Sequence, residues 1–282
     1  MKHAILAKGT YDYNAGNGSI GSGTPDSQTE AATEIIINRL AFIDKLATGE
    51  LDRSTIVSTL PERKFLYENL VDEVIDWEAG VIDDGEGVYD FVSELFAYNC
   101  ENLPYLPFYK HWERDKKSIT NVNYNSEILE TELTDFLVCI PRLKNSDTRR
   151  NVGQEYWQEF ADVAKERFDQ IFIFGKDNEN LDNGKNIKYI DTLQDYTSYI
   201  HHESCKHIVS TVSGPCHYAQ QFGNVNNQTK LTMIDTNNLI KTIGAGNPSY
   251  FDPCINFTGI EKMVLDYQPR PADLMEIIWA KE

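Results

Sequence analysis

Residues 136–175 read FLVCIPRLKNSDTRRNVGQEYWQEFADVAKERFDQIFIFG. Phe136–Ile140 is an uninterrupted apolar run, the pattern of a strand buried on both faces of a parallel sheet. From Gly153 to Phe168 the residues Tyr156, Trp157, Phe160, Val163, Ala164 and Phe168 recur at helical spacing. Gln170–Phe174 is a second buried strand, and Gly175 ends it. Strand, basic loop, amphipathic helix and strand together make one unit of a parallel α/β sheet.

The same alternation continues on both sides. Towards the C-terminus, strands are expected at Ile187–Ile190, His207–Ser210 and Leu231–Asp235. Helices are expected at Leu193–His201, Gly214–Phe222 (closing at Gly223) and Ala272–Ala280. Towards the N-terminus, Ala4–Ala7 reads as a first strand, followed by the glycine-rich loop GTYDYNAGNGSIGSGTPDS at 9–27. Ser27 and Glu30 form a capping box for a helix carrying Ile35, Ile36, Leu40, Ile43 and Leu46 on one face. Thr55–Ser58 and Val71–Trp77 read as strands, Glu62–Leu70 and Tyr89–Tyr98 as helices. Residues 101–135 are irregular and suit an interdomain connection. The expectation is an α/β protein of two Rossmann-like, doubly wound domains, 1–130 and 131–282, with the terminal helix packing back on the first.

Composition narrows the function. The formal net charge is −18, which repels nucleic acid and anionic membranes at long range. Charge is nonetheless uneven: 110–117 and 142–150 are basic, so a local anion site is compatible with an acidic whole. No apolar run approaches the length of a membrane span, and the N-terminal apolar stretch is too short for a secretory signal core. The five cysteines include no C-x-x-C pair, which fits reduced thiols in the cytoplasm and argues against a zinc site.

In doubly wound sheets ligands bind beyond the carboxyl ends of the strands, against helix N-termini. Two segments qualify. The loop after Ile140 carries Arg142, Lys144, Arg149 and Arg150, and guanidinium groups match the geometry of a diphosphate. The segment Ser210-Thr-Val-Ser-Gly-Pro-Cys-His217 turns from strand into helix at Pro215. Its N–H groups and helix dipole attract phosphate. Thr211 and Ser213 add hydroxyls, Gly214 permits close approach, and His217 lies one turn in.

TVSGPCHYAQQFGN at 211–224 resembles the SGP-x-H-x-A-x-x-x-G segment of heptosyltransferase-like, B-fold glycosyltransferases. The order of pieces over residues 136 to 225 is also similar to their C-terminal domain. Val212 stands where that family usually has Asp. The resemblance implies two domains facing a cleft, with a nucleotide diphosphate sugar as co-substrate in the C-terminal half. Arg142, Lys144, Arg149, Arg150, Thr211, Ser213, Gly214 and His217 would hold the donor. It also implies neither metal nor resident cofactor, in keeping with the lack of an Asp-x-Asp motif. The acceptor would face the N-terminal domain, where Asp12 is the first candidate for the base that deprotonates the acceptor hydroxyl and Asp26 the next. Glu30, Asp83 and Asp84 are further candidates.

Two acceptors remain open, a glycan precursor and a hydroxymethylpyrimidine in phage DNA. The Asn-, Lys- and Tyr-rich composition is phage-like, and Lys110, Arg114, Lys116, Lys117 and Arg149 could line a groove. The charge of −18 opposes DNA, because duplex binding draws on phosphate neutralisation. Gly16, Asn17, Gly18 and Gly21 match G-x-G-x-x-G, but too far from the strand end for a dinucleotide fingerprint. An acceptor or sugar loop fits them better. A nucleotide-dependent oxidoreductase and an inactive nucleotide-binding module are the alternatives.

Overall fold

The computed structural model describes residues 3–7, 53–58, 61–69, 73–76, 122–141, 151–175, 181, 186–224, 229–236 and 260–279. The chain divides into two compact units, Met1–Asn123 and Tyr124–Glu282.

In the first unit, β1 (His3–Ala7), β2 (Arg53–Ser58) and β3 (Glu73–Asp76) form a parallel sheet in that order. His3 pairs with Arg53, and Thr55 with Glu73. Where a helix was expected over 62–70, Pro61–Leu66 is a 3-10 helix. Its last bonds, from the N–H groups of Tyr67 and Glu68 to Lys64 O, close a turn and do not extend the helix. The glycine-rich loop and the helices expected at 35–46 and 89–98 lie outside the described residues.

The second unit opens with a short helix, α1 (Ser126–Leu129), capped by Asn125, whose side chain accepts from Glu127 N at 3.1 Å. The segment before the first strand of this unit is fastened to it. Asn125 N donates to Ser198 Oγ, and Ser204 Oγ donates to Leu133 O. A single six-stranded sheet follows, made of β4 (Phe136–Ile140), β5 (Gln170–Phe174), β6 (Ile187–Ile190), β7 (Cys205–Thr211), β8 (Lys230–Ile234) and β9 (Glu261–Leu265). Every pairing is parallel and the spatial order is β6-β5-β4-β7-β8-β9. The chain therefore winds outward from β4, returns to the other side of β4, and winds outward again. Counted within the unit this is the Rossmann order 3-2-1-4-5-6.

Strand parity assigns the faces. Leu137, Cys139, Ile171, Ile173 and Val209 join one buried cluster with α2 (Gln154–Ala164) and α5 (Pro271–Trp279). The alternate residues Phe136, Phe172 and Phe174 meet α3 (Leu193–His201), through Tyr199 and Tyr196. α4 (Gly214–Phe222) adjoins α3, joined by a 2.9 Å bond from Tyr196 Oη to Pro215 O. β4 is buried along its whole length because helices cover both sides. The terminal helix spends its apolar face inside this unit: Leu274, Met275 and Ile278 are buried in the α2 cluster. Arg167 lies over the Trp279 ring and bonds Glu276.

Two tests follow. Phe136 is fully buried among Phe172, Tyr199 and His202, so Phe136→Ala should cost about 3–5 kcal/mol in urea unfolding. His207 is buried, bonded to Thr232 Oγ1 at 2.8 Å and close to Lys230. Burial, helped by the Lys230 charge, lowers its pKa to about 3 from 6.5. The folded state thus refuses a proton that the unfolded state accepts. Its contribution is present above pH 6.5 and lost as pH falls towards 3. Compared with His207→Gln, the wild type should lose about 2 kcal/mol more between pH 7 and pH 4.5, measured by urea unfolding at each pH.

Candidate functional site

The winding reverses between β4 and β7, the place where a doubly wound sheet opens a crevice at its carboxyl edge. Ile140, the last residue of β4, pairs with Ser210, the penultimate residue of β7. The two segments singled out from the sequence therefore leave adjacent strand ends. Pro141 begins one, and Thr211-Val212-Ser213 the other. Arg142, Lys144, Arg149 and Arg150 lie outside the described residues, but their loop starts from β4 and returns to α2 at Gly153.

On the β7 side the corner is well defined. Ser213 is the N-cap of α4 in extended conformation, Gly214 is the first helical residue and Pro215 the second. Ser213 makes no side-chain capping bond. Pro215 has no N–H to offer, and Cys216 N already donates to Ser213 O at 3.1 Å. The first N–H of the helix, on Gly214, has no intrahelical partner by geometry. It points where the dipole of a nine-residue helix favours an anion.

The hydroxyls serve the corner from within. Ser210 Oγ lies 2.6 Å from Thr211 O, 3.3 Å from Ile140 O and 3.2 Å from Ser213 Oγ. Cys216 Sγ donates to Thr211 O at 3.2 Å. Ser213 is nearly buried, and Thr211 is fully buried with an Oγ1 that meets no hydrogen-bond partner. Of the expected donor-binding set, Thr211, Ser213 and Gly214 are thus gathered at one strand–helix corner. His217 lies in the second turn of α4, with its side chain outside the described part. Asp12, Asp26, Glu30, Asp83 and Asp84, the loop residues Gly16, Asn17, Gly18 and Gly21, and the basic residues at 110–117 also lie outside it.

The thiols are not placed to react. Burial pushes up the pKa of Cys139, Cys205 and Cys216, and hydrogen bonds from Ser210 and Ser213 only partly oppose this at Cys216. They remain protonated at neutral pH. Among the described residues no three His, Cys, Asp or Glu side chains group as metal ligands, and no helix is long and apolar enough to cross a membrane.

Sequence reasoning passed over Asp235. It follows β8, the next strand along the crevice edge, and is buried, with its N–H on Leu265 O at 2.7 Å. Its signal was an acidic residue ending an apolar run.

No protein-family model and no curated protein sequence matches this chain. Solved structures do. The ADP-heptose lipopolysaccharide heptosyltransferase II of E. coli superposes with a TM-score of 0.50 at 10% identity, over 94% of this chain and 90% of that one. A family 9 glycosyl transferase from Veillonella parvula gives 0.50 at 12% identity, over 98% and 90%. The chain has the B-type glycosyltransferase fold. In that fold the C-terminal sheet described here is one of two α/β units, and the structural similarity spans nearly the whole chain.

The unpartnered hydroxyl gives a test. Thr211→Val removes a buried polar atom that no bond compensates, while keeping the shape of the side chain. Its unfolding free energy should match the wild type or exceed it by about 1 kcal/mol. A loss above about 2 kcal/mol in denaturant titration would reveal a partner for Oγ1.

Proposed function

We propose that the chain transfers a sugar from a nucleoside diphosphate sugar to a hydroxyl acceptor. The observation that carries this reading is the pairing of β4 with β7. It starts a loop with four basic residues beside an uncapped helix N-terminus, on the crevice side of a Rossmann-type sheet. The B-type glycosyltransferase fold supports it, and the E. coli neighbour is by name an ADP-heptose transferase.

In this reading Arg142, Lys144, Arg149 and Arg150 approach the diphosphate from the β4 side. The Gly214 N–H approaches from the β7 side, with Thr211, Ser213 and His217 around it. The acceptor oxygen attacks the anomeric carbon as the bond from that carbon to the phosphate oxygen breaks. The nucleoside diphosphate leaves with an extra negative charge, which the cationic loop and helix dipole stabilise. A carboxylate, Asp12 before Asp26, takes the acceptor proton. Fixed cations do the electrostatic work, so the transfer needs no divalent metal and no resident cofactor. The glycine loop with Gly16, Asn17, Gly18 and Gly21 attends the acceptor or sugar. Buried thiols at Cys139, Cys205 and Cys216 suit a cytoplasmic enzyme.

A glycan precursor is the favoured acceptor, because a net charge of −18 works against duplex DNA. Transfer to hydroxymethylated DNA, falling steeply with salt, would instead favour the phage acceptor. Donor binding without transfer or hydrolysis would indicate a binding module. Tight binding of a nicotinamide dinucleotide would indicate an oxidoreductase.

The deciding experiment is a thermal-shift panel of ADP, UDP, GDP, CMP and dTDP. At about 100 times Kd, a bound diphosphate stabilises the folded chain by about 2.7 kcal/mol. Arg149→Ala removes a charge-assisted contact and should weaken that ligand about 10- to 100-fold. An unchanged shift would remove Arg149 from the site, and no shift with any diphosphate would defeat the proposal.

A further inference from the structure

We infer that Ser210 is a positioning residue of the donor site: its hydroxyl holds the Ser213 oxygen off the first-turn N–H groups of α4 and keeps the helix N-terminus open for phosphate. This rests on the functional reading above and extends it to a residue that never touches the ligand.

A serine at the N-cap ordinarily turns its oxygen onto the N–H groups of the first turn. Ser213 does not. Its Oγ sits 3.2 Å from Ser210 Oγ and 3.8 Å from Cys216 Sγ. A hydroxyl has one proton to give. The shortest contact of Ser210 is the 2.6 Å bond to Thr211 O, which takes that proton. The Ser210 oxygen is then left to accept, and Ser213 is the donor across the 3.2 Å contact. The Ser213 proton is thus directed into the protein, and the anion-facing contact falls to the main chain at Gly214.

Ser210 also reaches across to the neighbouring strand. It is fully buried, and its oxygen lies within 3.3 Å of Ile140 O, the last carbonyl of β4. One side chain therefore touches the end of β4, the end of β7 and the cap of α4. Without the hydroxyl, Ser213 is released to cap its own helix and compete with the phosphate, and two strand ends lose their common tie.

A double-mutant cycle tests this. Binding of ADP, GDP and UDP is measured by calorimetry on the full chain, for the wild type, Ser210→Ala, Ser213→Ala and the double variant, with Ser210→Cys as the conservative replacement. The nucleotide that binds the wild type should bind Ser210→Ala about tenfold more weakly, and Ser213→Ala, which has no hydroxyl to turn onto the helix, within about twofold of the wild type. The double variant should bind more tightly than Ser210→Ala, because it lacks the Ser213 hydroxyl that the single change releases. Ser210→Cys should recover part of the affinity. If Ser210→Ala binds within twofold of the wild type while the wild type binds tightly, the positioning role is wrong and the functional reading stands. A double variant that binds as weakly as Ser210→Ala, or more weakly, would show that a released Ser213 is not the competitor and would likewise overturn the inference. If the wild type binds none of the three nucleotides, the functional reading fails and takes this inference with it. Should Ser210→Ala not fold, Ser210→Cys carries the comparison: it must bind more weakly than the wild type and regain affinity when Ser213→Ala is added, and unchanged affinity in Ser210→Cys overturns the role.

Discussion

The parallel ladder between β4 and β7 governs the C-terminal unit. It joins residues about seventy positions apart, Ile140 to Ser210, and makes neighbours of two strands that belong to opposite windings of the chain. Strand ends on either side of such a reversal send their connections to opposite faces of the sheet. The gap between those connections is filled by nothing in the sheet itself. α2 follows β4 to one face and α4 follows β7 to the other, so two helix N-termini flank one opening. The chemistry proposed for the chain needs that opening more than it needs any one side chain.

The layers around the ladder hold it in register. Leu137 and Cys139 face the α2 and α5 cluster, while Phe136 faces the aromatic group of Phe172, Tyr199 and His202. A one-residue slip of β4 would exchange these two sets, placing Leu137 and Cys139 against the aromatic side and Phe136 against α2. Leu137 to Ile140 run in register with His207 to Ser210, after an irregularity in the ladder between Phe136 and Leu137. At the crevice end the apolar packing gives way to Ser210, Thr211 and Ser213, and the bonds there are polar and directional. Rigid apolar strands deliver the corner, and the hydroxyls adjust it.

Much of this unit was legible because its strands are continuous apolar runs bounded by polar residues. Phe136–Ile140, Gln170–Phe174 and Ile187–Ile190 stand where the pattern placed them, as do the helices Leu193–His201 and Gly214–Phe222. β9 was not foreseen. Glu261–Leu265 is an edge strand whose residues are exposed or half-buried except Leu265, so neither an apolar run nor a strict alternation marks it. α1 escaped notice because four residues, between Asn125 and Glu130, carry no helical period. The terminal helix was recognised from its apolar face, and that face meets α2. At the site, the serine–glycine–proline corner was readable from its turn chemistry. The Ser210 role was not, because a serine inside a strand looks like a small packing residue until its three oxygen neighbours are seen.

A crystal structure of the chain with a bound nucleoside diphosphate tests the central claim most directly. The account predicts phosphate oxygens within about 3 Å of the Gly214 nitrogen, between the ends of β4 and β7, with the 142–150 loop folded over them. A diphosphate seated at the opposite edge of the sheet, or held wholly by residues 1–123, would contradict it.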